Sequence, residues 1–490
     1  MSAEAARIRT EELWSEMIEK ILGLIGALQK KEYAKASLYY VAANIIGQGV
    51  VLLSSAVFTR MMSKSDFGLV STYSTWVLVL NTFICLNLFV TVRNAYIDYP
   101  DDYDRYNSSV LLLSLLSGVV LTVLIVAGVS LVHGSFSLEV VLLACIQSVA
   151  LNVVNYMMAI QSMKNQYRQR AFLMIAPNWV HILLSIVLML VFTQNLFMAK
   201  ISGNAFGILI FGVFCCLVLF RKAVPEICPS YWKYALIIAV PSIFNTLSDL
   251  ILMQCDRLML TSMVGAEETA EYSIIYNVGS IIVAIYQAAN GAWTPWFYNR
   301  AANREYAEAR KYQGHYLLLF TAFTCGMITI SPELIRFMSP VNYWGGIRCV
   351  APIIVASYLI FLYAFLTAFL MFEKKTGKIA RNTVIAAAAN LLLNYYLIPA
   401  YRSAGAVAAT VLSYVLLFCL HYFSVDREGK DYFSLRAMLL NLAFVSAYGA
   451  VLYTLRDLWL LRYLLFIVAM IFLYVIKGRT VLKEFLGSGS

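Results

Sequence analysis

Three polar side chains interrupt an otherwise apolar stretch: Asn245, Asp249 and Asp256. They stand at i, i+4 and i+11. At 100° per residue they fall within roughly 40° of one another on a helix. Ionisable groups are costly in hydrocarbon, so each is a functional hypothesis by default. Asp249 has no positive residue beside it in the chain. An unpaired carboxylate in a low-dielectric interior is suited to taking up and releasing a proton, and with Asn245 it could hold Na+. The other reading is that Asp249 pairs with an Arg or Tyr of a neighbouring helix and locks the packing. Asp256 is followed by Arg257, whose side chain points to a different face. Pro241 precedes the stripe, removes one helix hydrogen bond and predicts a bend.

The other polar residues within apolar stretches carry no fixed charge. Asn44 and Gln48 lie one turn apart. Gln147, Ser148, Asn152 and Asn155 share roughly one helical face. Asn178 and His181 follow Pro177, and Asn390 and Asn394 form another pair. Such stripes suit an aqueous cavity for a sugar, which needs hydrogen bonds more than charge. They equally suit hydrogen bonding between helices, and a single interior histidine such as His181 is more often simply satisfied. The segment YPDDYDRY offers Asp101, Asp102 and Asp104 for Mg2+ and a diphosphate. Without a second acidic cluster it reads as a solvated turn. The nine cysteines show no CxxC or paired outer spacing and read as small buried apolar residues. No metal site and no cofactor is implied beyond a coupling ion, H+ or Na+.

The elements that hold these residues are fourteen apolar stretches, over 36–60, 67–92, 107–132, 136–163, 170–193, 198–221, 234–263, 268–293, 313–337, 345–371, 377–399, 403–424, 433–455 and 457–478. About 20 apolar residues cross the hydrocarbon core as a helix. The chain is 13% charged, half the share usual in soluble domains, which excludes a soluble enzyme. Its net charge of +10 follows membrane topology rather than nucleic-acid binding. With the N-terminus inside, roughly 28 Lys and Arg fall on the cytoplasmic face and roughly 8 outside. This predicts an all-α, multi-pass membrane protein with both termini cytoplasmic.

Residues 1–35 form a cytoplasmic segment, in which Trp14, Met17, Ile18, Ile21, Ile25 and Leu28 recur at the spacing of a surface helix. The turns RMMSKSDFGLVSTY and MVGAEETAEYSIIY each link two stretches through acids and an aromatic residue. They predict a repeat: one six-helix bundle over 36–221, a second over 222–425, and two further helices over 426–490. An offset of six spans makes the halves parallel repeats. The outer loops are too short for the catalytic domain of a lipid-linked saccharide polymerase or transferase.

The stretch Tyr234–Tyr298 carries YALIIAVPSIFN, Asp256-Arg257-Leu-Met-Leu, Gly265, Glu271-Tyr272-Ser, Tyr276 and Trp293-Thr-Pro295-Trp296-Phe-Tyr298. It is similar to the polysaccharide and oligosaccharide flippases of the MOP superfamily, and Arg60 to Gly68 resembles their N-terminal counterpart. The resemblance implies two bundles around a central cavity that rock between inward-open and outward-open states, often driven by an ion. It implies a lipid-linked oligosaccharide on undecaprenyl diphosphate as substrate, membrane lipids as surroundings and polysaccharide assembly machinery as partner. On that pattern Arg60 and Asp256-Arg257 lie near an outer gate. Arg93 would meet the diphosphate from the cytoplasm, because a guanidinium holds phosphate oxygens bidentately. Trp293 and Trp296 would anchor the inner end of the eighth helix, a place that an interfacial aromatic belt fits equally. The first five stretches lack the mid-depth cations of lipid II flippases, which argues against that substrate. Cation-coupled exporters of small amphipathic compounds share the fold and are the alternative.

Overall fold

The computed structural model describes residues 32–131 and 137–475. The expected surface helix over 8–28 and the end of the last stretch lie outside them. The first half contains α1 (Glu32–Met61), α2 (Lys64–Ile84), the short α3 (Val92–Asp98), α4 (Tyr103–Leu131), α5 (Leu138–Met163), α6 (Tyr167–Val191) and α7 (Leu196–Lys222). The second contains α8 (Pro229–Met263), α9 (Ala266–Ala302), α10 (Tyr306–Met338), α11 (Val350–Phe372), α12 (Thr376–Ser424), the short α13 (Arg427–Asp431), α14 (Leu435–Thr454) and α15 (Trp459–Leu473). Among the described residues there is no strand. Lipid offers no partner to backbone N–H and C=O groups, so a helix that satisfies its own is the workable element.

Among the described residues twelve helices are long and apolar enough to cross a bilayer, and α15 is a shorter apolar helix. Two of the expected boundaries fall differently. The stretches 377–399 and 403–424 run together as the 49-residue α12, broken at Arg402, where φ is 53°. Pro399 lies just before the break, and a Cβ on Gly405 would lie 2.2 Å from the Leu397 carbonyl oxygen, so this bend requires glycine. The second stretch is also discontinuous. α2 stops at Ile84, Leu86 and Asn87 both take φ 52°, and a 3-10 turn over Leu88–Thr91 leads into α3.

Helix starts follow the capping residues. Ser63 Oγ accepts from the Asp66 N–H and donates to the Asp66 carboxylate at 2.7 Å, a reciprocal cap. Side-chain oxygens of Asn195, Asp426 and Ser434 accept from the Met198, Gly429 and Ala437 N–H groups and so cap α7, α13 and α14. Small residues bring helices together. A Cβ on Gly203 would lie 2.4 Å from the Ser185 Cα, and one on Gly207 2.5 Å from the His181 Cα, so α6 and α7 touch backbone to backbone.

Apolar packing is uneven along the chain. One continuous core runs from Leu252 through Leu452 and takes in side chains of α14 and α15. The first half divides into three smaller clusters. Helix α8 belongs to both halves. Its Tyr231, Ala235 and Ala239 pack with the first half, while Leu252 and Leu260 pack with the second. Pro241 sits between these two portions, where the missing hydrogen bond permits the change.

Candidate functional site

The helical phase read from the sequence puts Asp249 and Asp256 on one side of α8, about 20° apart, yet their surroundings differ. Asp256 is 1% exposed. The Tyr272 hydroxyl donates to its carboxylate, Thr410 Oγ1 donates at 3.3 Å, and the Arg257 N–H donates at 3.1 Å. The charge is thus spread over three donors from α8, α9 and α12. The Arg257 guanidinium turns away, donates to Gln254 Oε1 at 2.5 Å and lies 4.8 Å from the Tyr276 ring.

Asp249 is exposed although it faces the same way. Tyr363 of α11 lies within electrostatic reach of it. Asn245, one turn earlier, is half-buried. Above Asp249 a cavity of about 190 Å³ is walled by Gln48 of α1, Met253 of α8, Tyr276, Ser280 and Gln287 of α9, and Ser357 of α11. Ser280 Oγ reaches Gln48 Oε1 at 3.4 Å across it. Asn44 is half-buried one turn from Gln48. The walls thus mix hydroxyls, amides and one tyrosine with the apolar Met253, Val283 and Ala284.

The end of the molecule where α1 turns into α2 is closed. Lys64 Nζ meets Glu271 at 2.5 Å, Ser71 Oγ meets Ser273 Oγ at 2.6 Å, and Thr72 Oγ1 meets Thr261 Oγ1 at 2.5 Å. Thr59 Oγ1 donates to the Met338 carbonyl at 2.8 Å. The two turns singled out in the sequence face each other here, α2 against α9. Toward the opposite end, a Cβ on Gly47 or Gly291 would meet nothing within 4 Å.

The break in α2 is tied to α8 at that opposite end. Asn87 Nδ2 donates to Ser242 Oγ at 3.0 Å and to Thr246 Oγ1 at 2.9 Å, on either side of one turn after Pro241. Nearer the surface, the Tyr234 hydroxyl donates to Asp98, and Tyr99 packs against Tyr106, Tyr231 and Tyr234. Outside the spans, the Arg105 guanidinium holds the Glu226 carboxyl below the usual carboxylate range. Lys375, 2.6 Å away, does the same for Asp426.

The remaining expected residues are scattered. Arg60 is exposed and donates to its own helix at the Ala56 carbonyl, 2.7 Å. Arg93 is exposed on α3. Asn152 is enclosed and accepts from Ser114 at 3.0 Å, which is interhelical packing, whereas Asn155 is half-buried. Asn178 bonds the Met174 carbonyl at 2.9 Å and contacts His181 at 3.3 Å. These N-terminal candidates lie within the α4–α7 packing, away from the Gln48 cavity. Sequence reading passed over Asn87, whose role needs the broken helix, and Lys200, whose place near a helix end concealed its burial.

A family model described as "Polysaccharide biosynthesis protein" matches residues 33–300, more than half of the chain. The chain belongs to this family. The resemblance read from Tyr234–Tyr298 is thereby borne out. Among solved structures, the lipid II flippase MurJ in an inward closed conformation has a TM-score of 0.65 at 15% identity, over 91% of this chain and 100% of that one. A MATE protein in complex with MaL6 gives 0.57 at 13%, over 81% and 97%. A MOP superfamily transporter from Pyrococcus furiosus gives 0.53 at 14%, over 86% and 98%. These likenesses establish a MOP-type fold for this member of the family. No curated protein matches.

Proposed function

We propose that the protein flips a lipid-linked oligosaccharide, carried on undecaprenyl diphosphate, from the inner to the outer leaflet of a bacterial plasma membrane. The observation that carries this reading is the cavity of about 190 Å³ between α1, α8, α9 and α11, where Gln48, Tyr276, Ser280, Gln287 and Ser357 stand among Met253, Val283 and Ala284, beside the closed α1–α2 end. Uncharged donors and acceptors of this kind match sugar hydroxyls, which exchange one hydrogen bond for another with little net change. A tightly charged pocket would hold a diphosphate too firmly to release it.

In this reading the α1–α2 end faces outward and the described state is closed to the outside. The saccharide enters between the inner halves of α1 and α9 while its prenyl chain stays in lipid. Arg93, exposed on the inner side, receives the diphosphate. Arg60 and Arg257 act near the outer end. Asp249, one turn before Met253 of the cavity wall, takes up the coupling ion, H+ or Na+. Pro241 lets α8 flex between two portions that pack with different halves. Opening the outer end requires Lys64–Glu271, Ser71–Ser273 and Thr72–Thr261 to separate. The chain works as two six-helix bundles with two appended helices, beside polysaccharide assembly machinery.

A second reading, a cation-coupled exporter of amphipathic compounds, draws on one observation: Tyr276 and Tyr363 flank the level of Asp249, and aromatic faces with a carboxylate attract organic cations. Reconstitution separates the two. Proteoliposomes loaded with fluorescent undecaprenyl-diphosphate oligosaccharides should show label arriving in the opposite leaflet at a rate that rises with protein. Ethidium efflux without saccharide movement would instead select the exporter.

A further inference from the structure

A second ionisable group is enclosed in the first half, away from Asp249. Lys200 is 5% exposed. It lies five residues after the N-cap Asn195, in the opening turns of α7. Its Nζ donates to Asn204 Oδ1 at 2.8 Å and reaches Ser185 Oγ at 3.4 Å. It also sits 3.6 Å from the centroid of the Phe58 ring of α1. Among the described residues no carboxylate pairs with it.

A lone ammonium here is held against two opposing effects. Burial without a counter-charge is unfavourable, and the positive end of the α7 dipole repels it. Among the described residues two oxygens and one aromatic face support it. His181 of α6 is the titratable group within electrostatic reach. On the other elements packed against α7, Asp66 of α2 is bonded to Ser63, Glu139 of α5 is exposed, and Asp104 and Arg105 of α4 lie at the opposite end. On α1, Arg60 is exposed and bonds the Ala56 carbonyl.

Phe58 ties this charge to the outer closure. The next residue, Thr59, donates to the Met338 carbonyl of α10 at 2.8 Å and so fastens α1 to the second half. Phe58 and Thr59 are consecutive on α1, so the ring contact to Lys200 of α7 and the bond to Met338 of α10 fix the same turn of α1.

We propose that Lys200 is a proton-binding site whose charged form holds the outer end closed through Phe58 and whose neutral form lets α1 leave. As α1 withdraws, one Nζ–H bond breaks heterolytically. The proton passes to water at the outer end, near Asn195, and the electron pair stays on the neutral amine, which Asn204 and Ser185 continue to hold. Reprotonation from the same side restores the ring contact and the closure. The site is distinct from Asp249 in sign, in half and in depth.

The test is a double electron–electron resonance distance between spin-labelled unnatural residues at Val57 on α1 and Phe337 on α10, in full-length protein in lipid nanodiscs without substrate. In the otherwise native sequence the distance should lengthen as pH rises. Lys200→Met should give the long distance at every pH, and Lys200→Arg the short one. Phe58→Leu keeps the amine but loses the ring, and should move the midpoint to lower pH by about tenfold in proton concentration. It carries the test if the lysine variants do not fold. A distance that ignores pH, or variants that keep the native pH profile, overturns the proposal. The inference rests on alternating access but not on the substrate. A flat pH profile leaves the saccharide reading standing, and failed saccharide transport leaves the proton site standing.

Discussion

Gly68 and Ala266 meet so closely that a Cβ on Gly68 would lie 1.8 Å from the Ala266 carbonyl oxygen. The first turns of α2 and α9 therefore touch backbone to backbone. Lys64–Glu271 and Ser71–Ser273 depend on that approach. Gly68→Ala should force the turns apart and destabilise the closed state by about 1–3 kcal/mol, as overpacking does elsewhere. A cysteine at Ser273 should then react severalfold faster with an impermeant thiol reagent. Unchanged reactivity would mean that the closure does not need this contact.

The two aspartates of α8 should respond differently to the same change. Asp249→Asn should slow transport and leave thermal stability close to native, because the carboxylate faces open space. Asp256→Asn should lower stability by about 1–3 kcal/mol, since buried donors on Tyr272 and Thr410 would lose a charged acceptor. Equal transport by Asp249→Asn with and without a pH or Na+ gradient would remove it from coupling. A thermal scan beside the flux assay keeps the two effects apart.

Asn87 combines a left-handed backbone with two hydrogen bonds to α8. Asn87→Gly keeps the backbone freedom and loses the bonds, at about 1 kcal/mol. Asn87→Ala loses the bonds and adds the left-handed penalty, about 1–2 kcal/mol more. The order of thermal midpoints should be native, then glycine, then alanine. If alanine equals glycine, the strained turn has relaxed and is not a fixed break.

Arg462 of α15 is 1% exposed and bonds Glu333 of α10, one of whose contacts is 3.1 Å, together with the Thr329 carbonyl. Arg462→Met should lower stability by about 3 kcal/mol, the low end for breaking a buried pair, because Glu333 is a third exposed and partly screened. Arg462→Met with Glu333→Gln should recover part of that loss, because no unpaired charge remains. If the double variant is no more stable than the single, the carbonyl bond rather than the ion pair joins α15 to α10.

Apolar length and turn chemistry made the membrane helices legible, and the block around Asp256-Arg257 made the family legible. Asp66-Phe67-Gly68 opens α2 as its residue types require. What escaped the sequence depended on three-dimensional neighbours or on backbone angles. Nothing in Leu86-Asn87 announces two left-handed residues within an apolar run. Arg402 looked like a loop between two helices, and a single positive φ absorbed it. Asp249 and Asp256 read as one stripe, yet only the partners contributed by α9 and α12 distinguish an enclosed carboxylate from an open one. Lys200 and Arg462 lie near helix ends, where a cation normally reaches water, so their burial could not be read from position.

The closure at the α1–α2 end includes two pairs of hydroxyls, Ser71 with Ser273 and Thr72 with Thr261. A hydroxyl pair parts readily because water can substitute for either member, and the net difference per bond is about 1 kcal/mol. Interlocked leucines would resist separation in proportion to the area wetted. These side chains therefore act less like a bolt than like a zip, each step of which is nearly isoenergetic. A barrier assembled this way can be crossed many times a second without a large input of work, which is the property a cycling device requires of its door.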